Sequence, residues 1–373
     1  MANRALTLAA LSTVPFVMVL GNSMLIPVLP DVKRALHLTP CEVSLVITLF
    51  SVPAGLVIPF CGYLSDRFGR KKVMIPALLL YGLGGLVAGV AAMLSLKGSF
   101  LWILGGRVLQ GIGAAGTAPI AMALTGDIFQ GAARSRALGV IEAANGMGKV
   151  VSPVVGAALG LVSWWAPFLV FPALNALSAA AVWQGTHEPE RPRAETSLPA
   201  YLRALGGVFE QRTGLLLTSF LAGMLVLLTL FGLLFYLSEL LEARYHFGGV
   251  IKGLVLAIPV FCMAVTSYIT GLLVKKRFPV MKIAVIAGVI LVASALGVLP
   301  FLQRTLFFFM AISLAGVGTG LALPCLNTII TSTTDTEKRG LVTAIYGGVR
   351  FLGVAAGPPL FSILLESGRT VMA

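Results

Sequence analysis

The sequence predicts an all-α membrane protein built from two similar halves. Three observations support this prediction: the composition is strongly apolar, apolar stretches recur at lengths that cross a bilayer, and glycine motifs of the first half return in the second. Of the 373 residues, 58% are hydrophobic and only 11% are charged, whereas a soluble domain carries about 25% charged residues. Such a chain cannot cover a globular surface with polar groups, which excludes soluble and disordered classes of protein.

Apolar stretches long enough to span a bilayer recur along the chain, since a membrane helix needs about 20 apolar residues. The predicted spans are 6–30, 44–62, 73–94, 100–124, 136–161, 166–183, 214–238, 248–273, 283–301, 305–330 and 340–364. The long polar interruption contains the helix-breaking string HEPERPR at 187–193. We therefore expect an N-terminal six-span bundle over 1–183, a solvated cytoplasmic linker over 184–213 and a five-span C-terminal bundle over 214–373.

The two predicted bundles repeat each other in sequence. The residues that return at a constant offset are Gly111, Gly113 and Pro119, matched by Gly316, Gly318 and Pro324. Duplicated halves are typical of secondary transporters, whose binding site lies between the halves near the membrane midplane. A duplication of six spans implies twelve. We expect the twelfth span to be missing here, because the sequence stops at Ala373, soon after the eleventh.

The net charge of +13 reports topology rather than a polyanionic partner. Most of the Lys and Arg residues fall in loops on one side of the predicted spans, including the strings RFGRKK at 67–72 and KKR at 275–277. Loops rich in Lys and Arg remain in the cytoplasm. We therefore expect a multi-pass protein of the cell membrane with a cytoplasmic N-terminus, and no nucleic-acid partner.

The loop between the second and third spans carries the strongest local motif, GYLSDRFGRKK at 62–72. A gating role is predicted for Gly62, Asp66, Arg67, Gly69, Arg70, Asp127 and Arg339. Gly69 suits a tight turn, and the carboxylate of Asp66 suits a helix N-terminus or an arginine. We expect Asp66 to reach Arg339 at the start of the eleventh span, and Asp127 to pair with Arg70. A loop that only directs topology would explain the positive charges but not the aspartate and the glycines.

A stripe of small residues follows in the fifth span. Gly148, Ser152 and Gly156 recur every four residues, which allows a neighbouring helix to approach closely. Pro153 weakens the local hydrogen-bond ladder and permits a kink. The alternative is ordinary packing of small residues, because a helix seam that only packs and one that rocks have the same pattern.

Charged residues within the predicted spans point to transport, since burying a charge in a membrane costs several kcal/mol unless it is paired or faces water. The set comprises Arg107, Glu142, Lys149 and Arg350. Glu142 is the acid predicted to lie deep in a span, and Asn145 and Lys149 share its helix face. We expect Glu142, with Arg107 nearby, to couple transport to protons. The alternative is a static ion pair of Glu142 with Arg107 or Lys149.

The combined motifs resemble the major facilitator superfamily. The 62–72 loop is similar to its motif A, and RVLQGIG at 107–113 resembles its R-x-x-Q-G-x-G motif. GKVVSPVVG at 148–156 is similar to the antiporter motif G-x-x-x-G-P-x-x-G-G of drug/proton exchangers, but Ser152 and Ala157 replace two glycines. GVAAGPPL at 353–360 matches the corresponding late motif. The resemblance implies the major facilitator fold with two pseudo-symmetric helix bundles, and it favours export.

The resemblance also implies a central cavity between the bundles. Polar residues of types that line this cavity in the family occur in several spans, and each is alternatively satisfied inside a helix interface. The predicted substrate-cavity residues are Asn22, Gln110, Asn145, Lys149, Asn327, Tyr346 and Arg350.

The function that we expect is proton-coupled efflux of small amphiphilic compounds across the cell membrane by alternating access. Its partners are a small-molecule substrate, protons and the lipid bilayer, and we expect a monomer. The sequence offers no nucleophile–base set and no metal-ligand spacing, so we expect neither an enzyme nor a cofactor. Two alternatives remain: a lipid or glycolipid flippase on the same scaffold, and a non-transporting receptor or vestigial, truncated carrier.

Overall fold

The computed structural model describes residues 4–95, 97–189, 213–274, 278–298, 305–333 and 339–372, and it contains long helices and no strand among them. This confirms the predicted all-α class. The helices are α1 Arg4–Ser23, α2 Leu29–Ala35, α3 Pro40–Phe68, α4 Arg70–Met93, α5 Ser99–Ala115, α6 Ala118–Ile128, α7 Gly131–Gly160, α8 Ala166–Gly185, α9 Thr213–Ala243, α10 Gly249–Leu273, α11 Phe278–Val298, α12 Thr305–Thr333 and α13 Arg339–Met372.

Two of the predicted spans are interrupted helices. The first consists of α1, a 3-10 turn over Ile26–Val28, and α2, with Pro27 inside the turn. The fourth consists of α5 and α6, which are separated at Gly116 and Thr117. Proline lacks the N–H that would continue the hydrogen-bond ladder, so such positions favour breaks. We call the end that holds the start of α1 and the α3–α4 turn the predicted inner end, and the end that holds α2 the predicted outer end.

Ten stretches of the described chain are long and apolar enough to cross a membrane. The helix missing from this set is α7, although it has 30 residues. Its apolar character is reduced by Glu142, Asn145 and Lys149, the residues that suggested a functional role for the fifth span. The protein is therefore a multi-pass membrane protein, and its most polar long helix is the one predicted to carry the proton site.

The helices pack in two groups that touch along two seams. In the N-terminal group α4 packs on α5 and α8, α3 on α5, and α7 on α1; in the C-terminal group α13 packs on α9, and α12 on α10 and α11. The groups meet where α3 crosses α13 and where α7 crosses α10. At the first crossing a Cβ at Gly55 would lie 2.7 Å from the carbonyl oxygen of Gly348. At the second, a Cβ at Gly253 would lie 2.6 Å from the carbonyl oxygen of Pro153.

The repeated glycines make equivalent contacts in the two groups. A side chain at Gly111 would overlap the carbonyl oxygen of Phe50 on α3, and one at Gly316 would overlap that of Pro259 on α10. Similarly, Gly148 packs against the backbone of α1, and Gly353 against that of α9. The sequence repeat therefore corresponds to a repeated packing scheme, with glycine wherever one backbone must approach another closely.

Several helix ends differ by a few residues from those expected from the sequence, and two of these differences concern charged segments. The seventh span was predicted to end at residue 238, but α9 continues to Ala243 and includes Glu239 and Glu242. Glutamate is a good helix former, so the helix continues through both acids, each of which pairs with a cation. The stretch predicted as a solvated linker begins inside α8, which ends at Gly185, and residues 190–212 of it lie outside the described part of the chain.

Candidate functional site

Arg107 is completely buried at the centre of the N-terminal group. Its guanidinium donates from Nε to the carbonyl oxygen of Val46 at 2.7 Å, and from Nη1 to that of Gly21 at 2.9 Å. Nη1 also donates to Oε1 of Gln110 at 2.7 Å, and Nη2 to Oδ1 of Asn22 at 2.6 Å. Charge-assisted hydrogen bonds of this kind allow a cation to be buried without a carboxylate.

The surroundings of Arg107 change the interpretation of three predicted site residues. The guanidinium carbon lies 4.4 Å from the ring centroid of Phe50, in cation–π geometry. Asn22 and Gln110 are both buried and accept hydrogen bonds from Arg107. Nδ2 of Asn22 donates in turn to the hydroxyl oxygen of Ser51 at 2.8 Å. These three side chains thus tie α1, α3 and α5 together. The structure does not bring Arg107 to Glu142.

Glu142 is exposed on α7, not buried as we expected from its position within a span. It forms no ion pair with any residue that the structure describes, but it interacts electrostatically with Lys149. The proton-coupling prediction placed Arg107 near Glu142, which the structure does not; for the alternative of a static pair, only Lys149 remains as a partner. The expectation that Glu142 is buried rests on its position along the predicted span. That position does not reveal whether a helix face contacts protein or an open space.

Lys149 and Arg350 belong to different helix groups but lie within electrostatic reach of each other. Lys149 lies on α7, and Arg350 on α13, and the two cations interact electrostatically. Arg350 donates from Nη1 to Oδ1 of Asn327 at a long 3.5 Å, and its guanidinium lies 5.4 Å from the ring centroid of Tyr346. We call Lys149 and Arg350 the cation pair.

Several polar atoms around the cation pair are buried without a hydrogen-bond partner. They are Oδ1 of Asn145, the hydroxyl of Tyr346 and Nε of Arg350. Most buried polar groups in proteins find a partner, so such atoms mark places where a partner is expected. Of the predicted cavity residues, the structure therefore groups Asn145, Lys149, Asn327, Tyr346 and Arg350, and it separates Asn22 and Gln110 from them.

The stripe of small residues on α7 packs within the N-terminal group. A Cβ at Gly148 would lie 3.0 Å from the carbonyl oxygen of Phe16, a side chain at Gly156 would overlap that of Met24, and Ser152 is fully buried. The stripe thus brings α7 against α1. The face of α7 that meets the other group contains Pro153, whose carbonyl oxygen faces Gly253.

The predicted gating residues gather at the α3–α4 turn. Gly69 has a φ of 112°, which glycine adopts without steric cost. The side chain of Arg70 contacts Oδ1 of Asp66 at 2.6 Å and Oδ2 of Asp127 at 3.4 Å. Arg67 donates instead to the hydroxyl of Tyr63 at 2.8 Å. Gly62 lies within α3, and Arg339 begins α13 with a side chain outside the described part of the structure.

Sequence reasoning missed Glu188, which follows α8. Its carboxylate accepts hydrogen bonds from the backbone N–H of Arg70 at 2.5 Å and of Lys71 at 3.1 Å. It therefore caps the N-terminus of α4, where unpaired N–H groups and the helix dipole favour an anion. The sequence predicts that Glu188 lies in a solvated linker, because it belongs to the helix-breaking string HEPERPR at 187–193. Its contact is 118 residues distant in sequence, so no local pattern indicates it.

Sequence reasoning also missed an ion-pair network at the predicted outer end. We call it the outer-end cluster: it comprises Lys33, Arg34, Glu239, Glu242 and Lys252. Lys33 contacts Glu239 at 2.6 Å, Arg34 contacts Glu242 at 2.6 Å, and Lys252 contacts Glu242 at 2.8 Å. The cluster joins α2 of one group to α9 and α10 of the other. Glu239 is only 6% exposed and leaves Oε1 without a hydrogen bond, so it is much more buried than the exposed Glu142.

Comparison with known proteins agrees with this architecture. A family model described as Major Facilitator Superfamily matches residues 11–358. A Bacillibactin exporter of Bacillus subtilis (strain 168) is 42% identical over 365 residues, which cover 97% of this chain and 90% of that protein. The Tetracycline resistance protein, class C, of Escherichia coli is 31% identical over 364 residues, covering 94% of this chain and 87% of that protein.

Solved structures show the same fold at lower identity. A bacterial homologue of the human lysosomal transporter Spinster, in an inward-facing and unoccupied conformation, has a TM-score of 0.77 at 18% identity, covering 98% of this chain and 83% of that one. The human organic anion transporter MFSD10 has a TM-score of 0.74 at 20% identity, covering 99% and 95%. Since the family model spans nearly the whole chain and the relatives align along almost their full lengths, the chain belongs to the major facilitator superfamily, as its motifs predicted.

Proposed function

We propose that this protein exports small amphiphilic compounds in exchange for protons, by alternating access between its two helix groups. The observation that carries the proposal is the distribution of contacts between the groups. At the predicted outer end the groups are joined by the outer-end cluster, whereas Glu142 on α7, nearer the predicted inner end, is exposed. A molecule closed at one end and open at the other is what alternating access requires.

The proposed proton site is Glu142. A carboxylate exposed to hydrocarbon would be costly, so its exposure at this depth favours a water-filled cavity. Its electrostatic interaction with Lys149 means that protonation of Glu142 changes the field at the cation pair. Proton binding and substrate binding thus influence each other without direct contact, as coupling requires.

The driving force suffices for export without ATP. One proton releases about 2.3 kcal/mol per 100 mV and about 1.4 kcal/mol per pH unit. With both present, exchange of one proton for one neutral molecule sustains a gradient on the order of several hundredfold.

The proposed inner gate is the group of contacts at the α3–α4 turn. Asp66 lies at the end of α3, the helix that crosses α13 between the groups, and it contacts Arg70. Partly exposed ion pairs of this kind contribute about 0.2–1 kcal/mol. Such energies bias a two-state carrier without locking it in one state.

The relatives support export as the direction of transport. A Bacillibactin exporter and a tetracycline resistance protein both align with nearly the whole chain. Bacillibactin and tetracycline are accordingly the first compounds to test.

We propose that this protein acts in the cell membrane as a monomer with its N-terminus in the cytoplasm.

The test is a substrate-dependent proton flux in proteoliposomes that contain a pH-sensitive dye. Adding bacillibactin or tetracycline outside should raise the lumenal pH with the wild-type protein, because each substrate that enters is exchanged for a proton that leaves. Glu142→Gln should retain binding but lose the pH change and uphill transport, whereas Glu142→Asp should keep both. A folded Glu142→Gln protein that still concentrates substrate with unchanged pH dependence would exclude Glu142 as the coupling site.

A further inference from the structure

The cation pair lies close to, but not at, equivalent positions of the two halves. The repeat that relates Gly148 to Gly353 relates Asn145 on α7 to Arg350 on α13. Lys149 lies one turn beyond Asn145 on the same helix. α7 and α13 are also the helices whose crossings, with α10 and α3, join the two groups. A ligand that contacts both cations therefore bridges the halves where they must move relative to each other.

The charges around the pair do not balance. Lys149 interacts favourably with Glu142 and unfavourably with Arg350, so these three groups together leave one net positive charge. Neither cation forms an ion pair with any residue that the structure describes. Arg350 has a long contact with Asn327 and lies over the ring of Tyr346, and its Nε is buried without an acceptor.

Arg107, which is fully buried, differs from the two partly buried cations of the pair. Its guanidinium is occupied by two carbonyl oxygens and two side-chain amides within the N-terminal group. It has a structural explanation that needs no ligand. The cation pair has no such set of acceptors. Lys149 has the charge of Glu142 within electrostatic reach, but its repulsion from Arg350 is not offset by a second anion among the described residues.

We propose that Lys149 and Arg350 form a two-cation receptor for an anionic group of the exported compound, so that the substrates of this carrier are organic anions. The inference rests on the proposed function and names its substrate class. An anion between the cations replaces one repulsion with two attractions, and Arg350 Nε supplies a directed donor for a carboxylate or phenolate oxygen. Binding thus draws α7 and α13 together, whereas a cationic compound meets added repulsion.

The first test needs no transport and no ligand. If the pair is an unfilled anion receptor, Lys149→Gln should raise the melting temperature of the ligand-free protein in detergent, because it removes the repulsion from Arg350. If Lys149 instead acts as the structural counterion of Glu142, the same variant should melt at a lower temperature, and this result would overturn the proposal. Lys149→Arg, which keeps the charge, is the matched control and should leave the melting temperature nearly unchanged.

The second test measures binding to the purified protein by fluorescence anisotropy, with carboxyfluorescein as the anionic probe and ethidium as the cationic one. Wild-type protein should bind carboxyfluorescein, and Lys149→Gln and Arg350→Gln should each weaken that binding at least tenfold. Arg350→Lys should retain most of it, and ethidium binding should not weaken in any variant. Absence of carboxyfluorescein binding by the wild type, or equal binding by the double variant, would overturn the proposal.

Two further measurements complete the test. One distinguishes a lipid headgroup from a soluble organic anion, and the other distinguishes failure of the receptor from failure of the proposed function. Lipid headgroups are tested with fluorescent phosphatidylglycerol in place of carboxyfluorescein; a preference of the receptor for this lipid would overturn a soluble organic anion as its ligand. Charge-selective binding without any proton-coupled transport would refute the proposed function while supporting the receptor. Proton-coupled export that prefers ethidium would refute the receptor while supporting the function.

Discussion

Among the residues that the structure describes, Arg107 is the largest that is fully buried, ahead of Tyr81 and Tyr346. The planar guanidinium directs donors toward α1, α3 and α5 at once, and this explains why an arginine stands at the position. Removing one partner from such a network leaves buried acceptors unpaired, which costs about 1–3 kcal/mol for each group. At the scale of single residues, the buried charge therefore holds the N-terminal group together.

We predict that Arg107→Lys destabilises the protein by about 2–4 kcal/mol although it keeps the positive charge. A lysine ammonium cannot place donors in the fixed fork that reaches these separated oxygens. The measurement is the thermal unfolding temperature in detergent, with Arg34→Lys as the control on a partly exposed arginine. An unchanged unfolding temperature together with lost transport would place Arg107 in the substrate pathway instead.

At the scale of helices, α4 and α8 cap each other reciprocally. Glu188, after α8, accepts hydrogen bonds from the first N–H groups of α4. In return, Nζ of Lys71 on α4 donates to the carbonyl oxygens of Trp183 at 2.6 Å and Thr186 at 2.8 Å, at the end of α8. An anion at a helix N-terminus and a cation at a helix C-terminus are both favourable. This arrangement positions the α3–α4 turn that carries the proposed gate.

We predict that Glu188→Ala lowers the free energy of unfolding by about 0.5–2 kcal/mol, the usual cost of losing a helix cap. The free energy of unfolding of Glu188→Gln should lie between those of Glu188→Ala and the wild type, because glutamine keeps an acceptor but loses the charge. Thermal unfolding in detergent measures both. If the alanine variant melts with the wild type, the cap does not stabilise α4.

At the scale of the whole molecule, the outer-end cluster determines which end is closed. Lys33 and Glu239 belong to different helix groups, and nearby Ser238 donates to the carbonyl oxygen of Ile26 at 2.8 Å between the same two groups. Removing one member of a largely buried pair leaves an uncompensated charge. Opening the outer end would let water solvate it, so such a change should shift the carrier toward its outward-open state.

We predict that Lys33→Met increases the labelling of Ser238→Cys by a membrane-impermeant maleimide severalfold, because Ser238 is buried while the outer end is closed. The assay needs a Cys41→Ser background, since Cys41 is exposed. Lys97→Met, which removes an exposed lysine from the loop between α4 and α5, is the control and should leave labelling unchanged. Equal labelling in the Lys33→Met and control proteins would show that the pair does not hold the outer end closed.

The spans, the family and the repeat could be predicted from the sequence, because bilayer thickness sets the length of an apolar stretch and close helix contact requires glycine at regular spacing. Both signals can be recognised in short stretches of sequence. Gly111 and Gly316, which the repeat relates, indeed make equivalent close contacts with a neighbouring helix. The partners of the charged residues could not be predicted in this way. Glu188 caps a helix from the far end of α8, and Lys33 pairs with Glu239 across 206 residues. Arg107 donates to backbone carbonyl oxygens, which every residue type carries. Electrostatic pairing depends on distances through space, and folding alone brings these groups together.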